Sequence, residues 1–405
     1  MQERTLPRSV AGPAAWEGLP AEQQPHWRYH AEYLRTREAL AAAPSLVTVA
    51  ELDTLRRNLA TVAAGRALLL QAGDCAESLA ECMSDHTAAK LAVLNGLADR
   101  LAAGAEAPVV RIGRIGGQFA KPRSQPVEWH DGRELPVFRG HLVNSDVPTR
   151  AAREHDPSRM LLGYQASARV LRMLREDRLR RTAGTAVATA GIGSGPWASH
   201  EALVIDYEGS AIRTGPGGGS FLGSTHLPWI GERTRQPNSA HVRLLSAMDN
   251  PVGCKLGPST QVTDLLRLCE LLDPDRVPGR LVLIARMGVA HIAETLPPLV
   301  TAVRRAGHPA VWLSDPMHGN TVRTGDGVKT RHLSDLVDEV LACRAILERS
   351  GVHPAGLHLE VAADDVTECV GGKVSGEEMV QRRYTTLCDP RLNPEQAHEL
   401  VEAWT

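Results

Sequence analysis

VWLSDPMHGNT, residues 311–321, is the stretch on which the reading of this chain turns. It opens as a short apolar run, 310–313, just after the breaker His308-Pro309. A run that short, bounded by turn residues, reads as a strand buried on both faces. It then leaves the apolar register for Ser314, Asp315, Met317, His318, Gly319, Asn320 and Thr321. A buried parallel strand that releases chemically capable side chains at its C-terminal end marks the rim of an α/β active site. His318 alone reads more simply as a loop histidine bonded to a backbone carbonyl. Its weight depends on what other strands bring to the same rim.

Outward from this stretch the pattern repeats. Further strand-like runs lie at 67–73, 108–112, 196–200, 221–225, 252–255, 281–285, 356–360 and 384–388. Helical spacing of apolar residues separates them at 85–103, 160–181, 201–208, 260–272, 292–306 and 334–349. Thr260 and Ser334 are expected N-caps, and Gly307 and Gly351 expected C-terminal stops. A last helix is expected from Asn393-Pro394, with Asn393 as cap, proline at the first helical position and Gln396 completing a capping box. Repeated β–α units over residues 66–405 argue for a single (β/α)8 TIM barrel of the α/β class rather than a doubly wound sheet. Nine strand candidates compete for eight places, and the segment around Trp197 is the weakest of them.

Residues 1–65 read as an N-terminal helical extension, with helices at 25–43 and 50–64 that either cap the bottom of the barrel or form a subunit interface. The segment 128–156 is polar and proline-interrupted, a loop flanking the site. The arginines on the outer face of 160–181 (Arg169, Arg172, Arg175, Arg178, Arg180 and Arg181) are read as solvated surface. The glycines at 215–219 are not followed by Gly-Lys-Ser/Thr, and those at 113–117 do not match the dinucleotide fingerprint.

Charge is nearly balanced, 45 Lys+Arg against 47 Asp+Glu, so there is no basic field for nucleic acid. No apolar run reaches membrane-spanning length, and MQERTLPRSV lacks the apolar core of a signal peptide. A cytoplasmic protein is expected. Seven cysteines, an odd number spread along the chain, do not suggest a disulfide framework.

Four strand ends supply metal-ligand types: Cys75, His318, Glu360 and Asp389. Singly, each has an ordinary explanation. Together, one sulfur, one nitrogen and two oxygen donors suit a divalent transition metal such as Mn, Fe, Co or Zn. Cations follow the same strands: Arg114, Lys121, Arg123, Arg233, Lys255 and Arg286. Lys255 and Arg286 stand in apolar surroundings with no acid beside them in sequence. A buried charge needs a partner, and a multiply anionic substrate supplies one.

At this point the motifs are recognisable. QAGDCAES, RIGRIGGQFAKPRS, STHLPWIGERTRQ, NPVGCKLGP, LIARMG, SDPMHGNT, GLHLEVAADDVTECVGG and YTTLCDPRLNPEQA together resemble the type II 3-deoxy-D-arabino-heptulosonate 7-phosphate (DAHP) synthases. The resemblance runs from about residue 66 to the C-terminus and is greatest to the short forms of phenazine and related secondary-metabolite clusters. It implies condensation of phosphoenolpyruvate with erythrose 4-phosphate, the entry step of the shikimate pathway, on a required divalent metal, Mn²⁺ foremost. Cys75, His318, Glu360 and Asp389 would be the ligands. Arg114, Lys121, Arg233, Lys255 and Arg286 would hold phosphoenolpyruvate, with Glu232 close by. Lys121, Arg123 and Ser124 would reach the erythrose phosphate, with Lys329 as a further candidate. Glu232 or a water at the metal would handle the proton. A homodimer or homotetramer is expected.

Feedback-regulated members carry an inserted helix pair, and 126–231 looks too short to hold it. Insensitivity to Phe, Tyr and Trp is therefore expected. Cys388, beside Asp389, is a candidate to crosslink with Cys75 on oxidation. Two rivals share these motifs: an aminoDAHP synthase using an imino sugar phosphate, and an inactive scaffold for a chorismate mutase-like partner.

Overall fold

The computed structural model describes residues 16–184 and 195–405. Eight parallel strands close into a barrel in simple sequential order. They are β1 (Leu68–Gly73), β2 (Val109–Arg114), β3 (Trp197–Glu201), β4 (Leu227–Ile230), β5 (Val252–Leu256), β6 (Leu281–Ala285), β7 (Val311–Ser314) and β8 (Pro354–Glu360). Each is followed by a helix: α3 (Ser84–Ala105), α4 (Arg159–Gly184), α5 (Ile205–Ser210), α6 (Ala240–Ser246), α7 (Val262–Leu272), α8 (Ile292–Arg305), α9 (Leu333–Arg349) and α10 (Pro394–Trp404). Among the described residues two α-helices precede β1: α1 (Tyr33–Ala42) and α2 (Val49–Ala63). This is a (β/α)8 barrel, and its C-terminal strand ends share one face.

The strands are near-continuous apolar runs because both faces are covered, one by the barrel interior and one by the helices. β5 and β6 are buried at every position. Below, α2 closes the barrel: Leu55, Leu59 and Val62 share one buried cluster with Leu69, Val110, Ile112, Trp197, Val282 and Leu313. Capping the barrel bottom is thus the role that α2 takes. Register decides what happens above. Gly73 of β1 pairs with Arg114 on one side and Glu360 on the other, so all three stand at one level. A Cβ at Gly73 would lie 2.8 Å from the Arg114 carbonyl oxygen, so only glycine lets the two strand ends approach this closely.

Several sequence expectations need correction. The segment around Trp197 is a barrel strand, whereas 384–388 forms no strand. The candidate at 221–225 belongs to a small hairpin, Ser220–Leu222 against Ile212–Thr214, off the barrel. The true fourth strand, Leu227–Ile230, was disguised by Pro228, which normally argues against a central strand. The segment 128–156 contains a hairpin, Val127–His130 with Arg133–Pro136. Asp131 and Gly132 turn it with φ of 48° and 74°, the Asp-Gly signal of a tight hairpin turn.

Helix α6 was not foreseen. Helices α7 and α9 start from Gln261 and His332, with no side-chain cap bond, rather than from Thr260 and Ser334. The Asn393/Gln396 capping box, Pro394 at its start, and the left-handed Gly307 and Gly351 are all present. The arginine face of α4 is only partly solvated. Arg175 and Arg178 both bind Glu51 of α2, and Arg178 stacks 4.3 Å over the Trp197 ring. They fasten the extension to the barrel. The glycine-rich segment 182–196 lies largely outside the described residues.

Candidate active site

The loops above the strand ends enclose a cavity of about 270 Å³. Lys121, Arg233, Lys255, Arg286, Lys329 and Arg331 line it, against the carboxylates Glu201, Glu232 and Asp389. His318 and Thr321 complete much of the wall. Six cations against three carboxylates leave an excess of positive charge, which favours a multiply anionic ligand.

Beneath the cavity sits Glu360, the last residue of β8 and fully buried. Its Oε1 accepts from Arg114 Nη2 at 2.8 Å and lies 2.9 Å from His318 Nε2 and 3.5 Å from Lys121 Nζ. Its Oε2 accepts from Arg331 Nη1 at 3.0 Å. Burial alone would raise its pKa. His318, Lys121, Arg331 and Arg114 outweigh burial and hold the carboxyl well below the usual range. Arg114 is spent on this floor: it also donates to the Asp74 carbonyl at 3.1 and 2.9 Å and lies over the Trp229 ring.

Cys75, two residues beyond β1, is fully buried. Its Sγ accepts from the Asp389 amide at 3.3 Å and lies 3.8 Å from Asp389 Oδ2. Burial and the nearby Glu360 push its thiol pKa well up. Asp389 also receives Lys329 Nζ at 2.7 Å and lies 3.8 Å from Lys121 Nζ. Burial would lower the pKa of Lys121, but Cys75, Glu360 and Asp389 raise it, so the ammonium is firmly charged. The four expected ligands are thus neighbours, joined in pairs around one ammonium. Among the described residues no three His, Cys, Asp or Glu side chains converge on a single ligating point.

Lys255 does have an acid, contrary to expectation. Its Nζ donates to Asp315 Oδ2 at 2.9 Å, and it lies 3.2 Å from His318 Nδ1. Burial lowers its pKa to about 8, with Asp315 opposing. Asp315 also meets His318 Nδ1 at 2.8 Å, so it orients the imidazole toward Glu360. Arg286 donates to the His318 carbonyl.

Glu232 faces the cavity but is paired with Arg235 at 2.8 and 3.0 Å. Arg123 and Ser124 stand to one side. Arg123 reaches Cys388 Sγ at 3.3 Å and Glu128 at 3.3 Å, and Ser124 Oγ accepts from Arg233 at 2.7 Å. Cys75 and Cys388 are both free thiols.

Sequence reasoning passed over Arg331, fully buried against Glu360, and the orienting role of Asp315. Asp315 lay in the opening stretch, but its partner Lys255 is two strands away. Only strand order brings the two together.

A barrel with a cationic cavity above a buried carboxylate, thiol and imidazole is the framework of an enzyme that handles anionic substrates. The comparisons narrow this further. The family described as "Class-II DAHP synthetase family" matches residues 11–188 and 193–403. A probable phospho-2-dehydro-3-deoxyheptonate aldolase of Pseudomonas fluorescens is 48% identical over 384 residues, covering 95% of this chain and 94% of that protein. A phospho-2-dehydro-3-deoxyheptonate aldolase of Streptomyces coelicolor is 41% identical over 430 aligned positions, covering 95% of both chains. A solved phospho-2-dehydro-3-deoxyheptonate aldolase from Francisella tularensis shares the fold, with a TM-score of 0.52 at 14% identity over 91% of this chain and 97% of that one. The chain belongs to the class-II DAHP synthetase family.

Proposed function

We propose that this enzyme condenses phosphoenolpyruvate with D-erythrose 4-phosphate and water to give DAHP and inorganic phosphate, using a divalent metal. The observation that carries this is the excess of cations around a cavity whose floor holds Cys75, His318, Glu360 and Asp389. Two phosphorylated substrates, one of them also a carboxylate, match that charge. The mixed sulfur, nitrogen and oxygen donor set suits a divalent transition metal such as Mn²⁺, Co²⁺, Fe²⁺ or Zn²⁺, and the family resemblance puts Mn²⁺ first. Lys121 already holds a positive charge between Glu360 and Asp389. When bound, a metal would act as a Lewis acid toward the aldehyde oxygen.

The chain's own groups do the rest. Lys255, Arg286, Arg233 and Lys121 bind the phosphate and carboxylate of phosphoenolpyruvate and aim its C3 at the aldehyde carbon. Water adds at C2, and phosphate leaves by C–O cleavage. Holding two reactants in attack geometry can offset roughly 7–11 kcal/mol of the barrier. Glu232, at the cavity wall, is the nearest candidate to take the proton of the attacking water. A divalent metal held by Cys75, His318, Glu360 and Asp389 would supply the alternative, by acidifying water near it.

The aligned 430 positions in the Streptomyces protein exceed the 405 residues of this chain, so that relative carries insertions which this chain lacks. This supports a short form that serves secondary metabolism, such as phenazine formation, and is not inhibited by aromatic amino acids.

The test is phosphoenolpyruvate consumption with erythrose 4-phosphate after EDTA treatment, and again with Mn²⁺ restored. Metal-dependent turnover unaffected by Phe, Tyr and Trp, alone or paired, is expected. No turnover with metal bound would point to the imino sugar phosphate. No turnover and no metal bound would point to the scaffold.

A further inference from the structure

The loops after β6 and β7 each deliver one key group: Arg286 to the anion pocket and His318 to the floor. They touch backbone to backbone. A Cβ on Gly288 would lie 2.9 Å from the Gly319 oxygen, and one on Gly319 would lie 2.3 Å from the Gly288 nitrogen. Behind this contact stands Glu339 of α9, fully buried. Its Oε1 accepts from the backbone amides of Met287 at 3.0 Å and Gly288 at 2.9 Å, directly after Arg286. Its Oε2 accepts from Asn320 Nδ2 at 2.6 Å, two residues beyond His318. Asn320 returns the link, because its Oδ1 accepts from the Val289 amide at 2.9 Å.

We propose that Glu339 is a positioning residue that sets Arg286 and His318 relative to one another by binding both loops at once. This role rests on the phosphoenolpyruvate reading of the cavity. Burying a carboxyl group is costly, and a residue that only filled space under α9 would need no hydrogen-bonding head. Burial pushes this carboxyl up to about 7 although three donors oppose the shift. The chain uses the same device twice more on this face. Glu77, fully buried, accepts from the amides of Gly116, Gly117 and Gln118, on the loop that leads to Lys121. Glu368, equally buried, accepts from Thr385, Thr386 and Arg391, around Asp389. The loops that bear Lys121, Arg286 and Asp389 are thus each held by backbone amides on a buried carboxylate.

The test is Glu339→Gln. The two backbone amides keep their acceptor, but the new side-chain amide faces the Asn320 amide, donor against donor. KM for phosphoenolpyruvate is expected to rise tenfold or more, with KM for erythrose 4-phosphate within twofold of wild type. Calorimetric phosphoenolpyruvate affinity should fall in parallel. Should Glu339→Gln not fold, Asn320→Ala removes the Oε2 link together with the bonds to the Val289 amide and the Pro316 carbonyl, and should shift the same KM in the same direction. A variant that unfolds more easily but keeps both KM values overturns the positioning role. Wild-type enzyme that does not bind phosphoenolpyruvate overturns the reading of the cavity and this role with it.

Discussion

The two ends of this barrel are built from opposite materials. Below, Leu55, Leu59 and Val62 of α2 plug the strand starts with an apolar cluster that carries no charge. Above, Glu360 gathers two arginines, a lysine and a histidine within 3.5 Å, all of them largely or wholly buried. Apolar burial stabilises without direction. A buried ion network stabilises only while every partner is present, and it holds its members in one geometry. The difference separates the end that keeps the fold from the end that performs chemistry.

The comparison breaks most sharply at Glu360. Glu360→Gln leaves Arg114 and Arg331 without their carboxylate and is expected to cost about 3–5 kcal/mol, with phosphoenolpyruvate consumption lost. Urea unfolding and the turnover assay read both effects. If stability and turnover both survived, the floor would not be the electrostatic centre described here.

At the opposite end, Leu59→Ala opens a cavity in the plug and is expected to cost roughly 2–5 kcal/mol. Turnover per folded molecule should stay unchanged at a temperature where the variant is folded. A selective fall in kcat would join the two ends that this structure separates.

Glu51 sharpens the comparison most gently. It sits at the edge of the plug, completes the α2 capping box with Thr48 and binds Arg175 and Arg178. Burial would raise its pKa, but His226, 3.8 Å away, and the bonded Arg175 guanidinium hold it well below the ordinary 4.5. A carboxyl lowered on folding binds fewer protons folded than unfolded in that range. Its stabilisation is therefore full above about 4.5 and shrinks as pH falls below it. Glu51→Gln is expected to cost about 1–3 kcal/mol at pH 7, and progressively less on acidification. Denaturant midpoints of both proteins between pH 7 and pH 3 check this. A gap that stays constant with pH would discount the ion pairs.

Much of the site could be read from residues alone, because strand ends announce themselves. An apolar run that stops at Cys75, His318, Glu360 or Lys255 tells which residues leave the core together. The structure gathers them on one face. The fourth strand was missed because Pro228 imitates a breaker, and the Asp131-Gly132 hairpin because its turn signal lay within a polar stretch. Arg175 and Arg178 were taken for solvated surface because their partner, Glu51, is over a hundred residues away.

Local chemistry in the sequence determined the α/β class, most of the alternating strands and helices, the capped start of α10 and much of the set of residues at the rim. All of these depend on neighbours within a few positions. Tertiary structure alone decided that Gly73, Arg114 and Glu360 share a level, that Asp315 serves Lys255, that Arg331 binds Glu360 and that Glu339 binds two loops. Those pairings depend on barrel register and closure, which place distant residues a few ångströms apart and which no local pattern encodes.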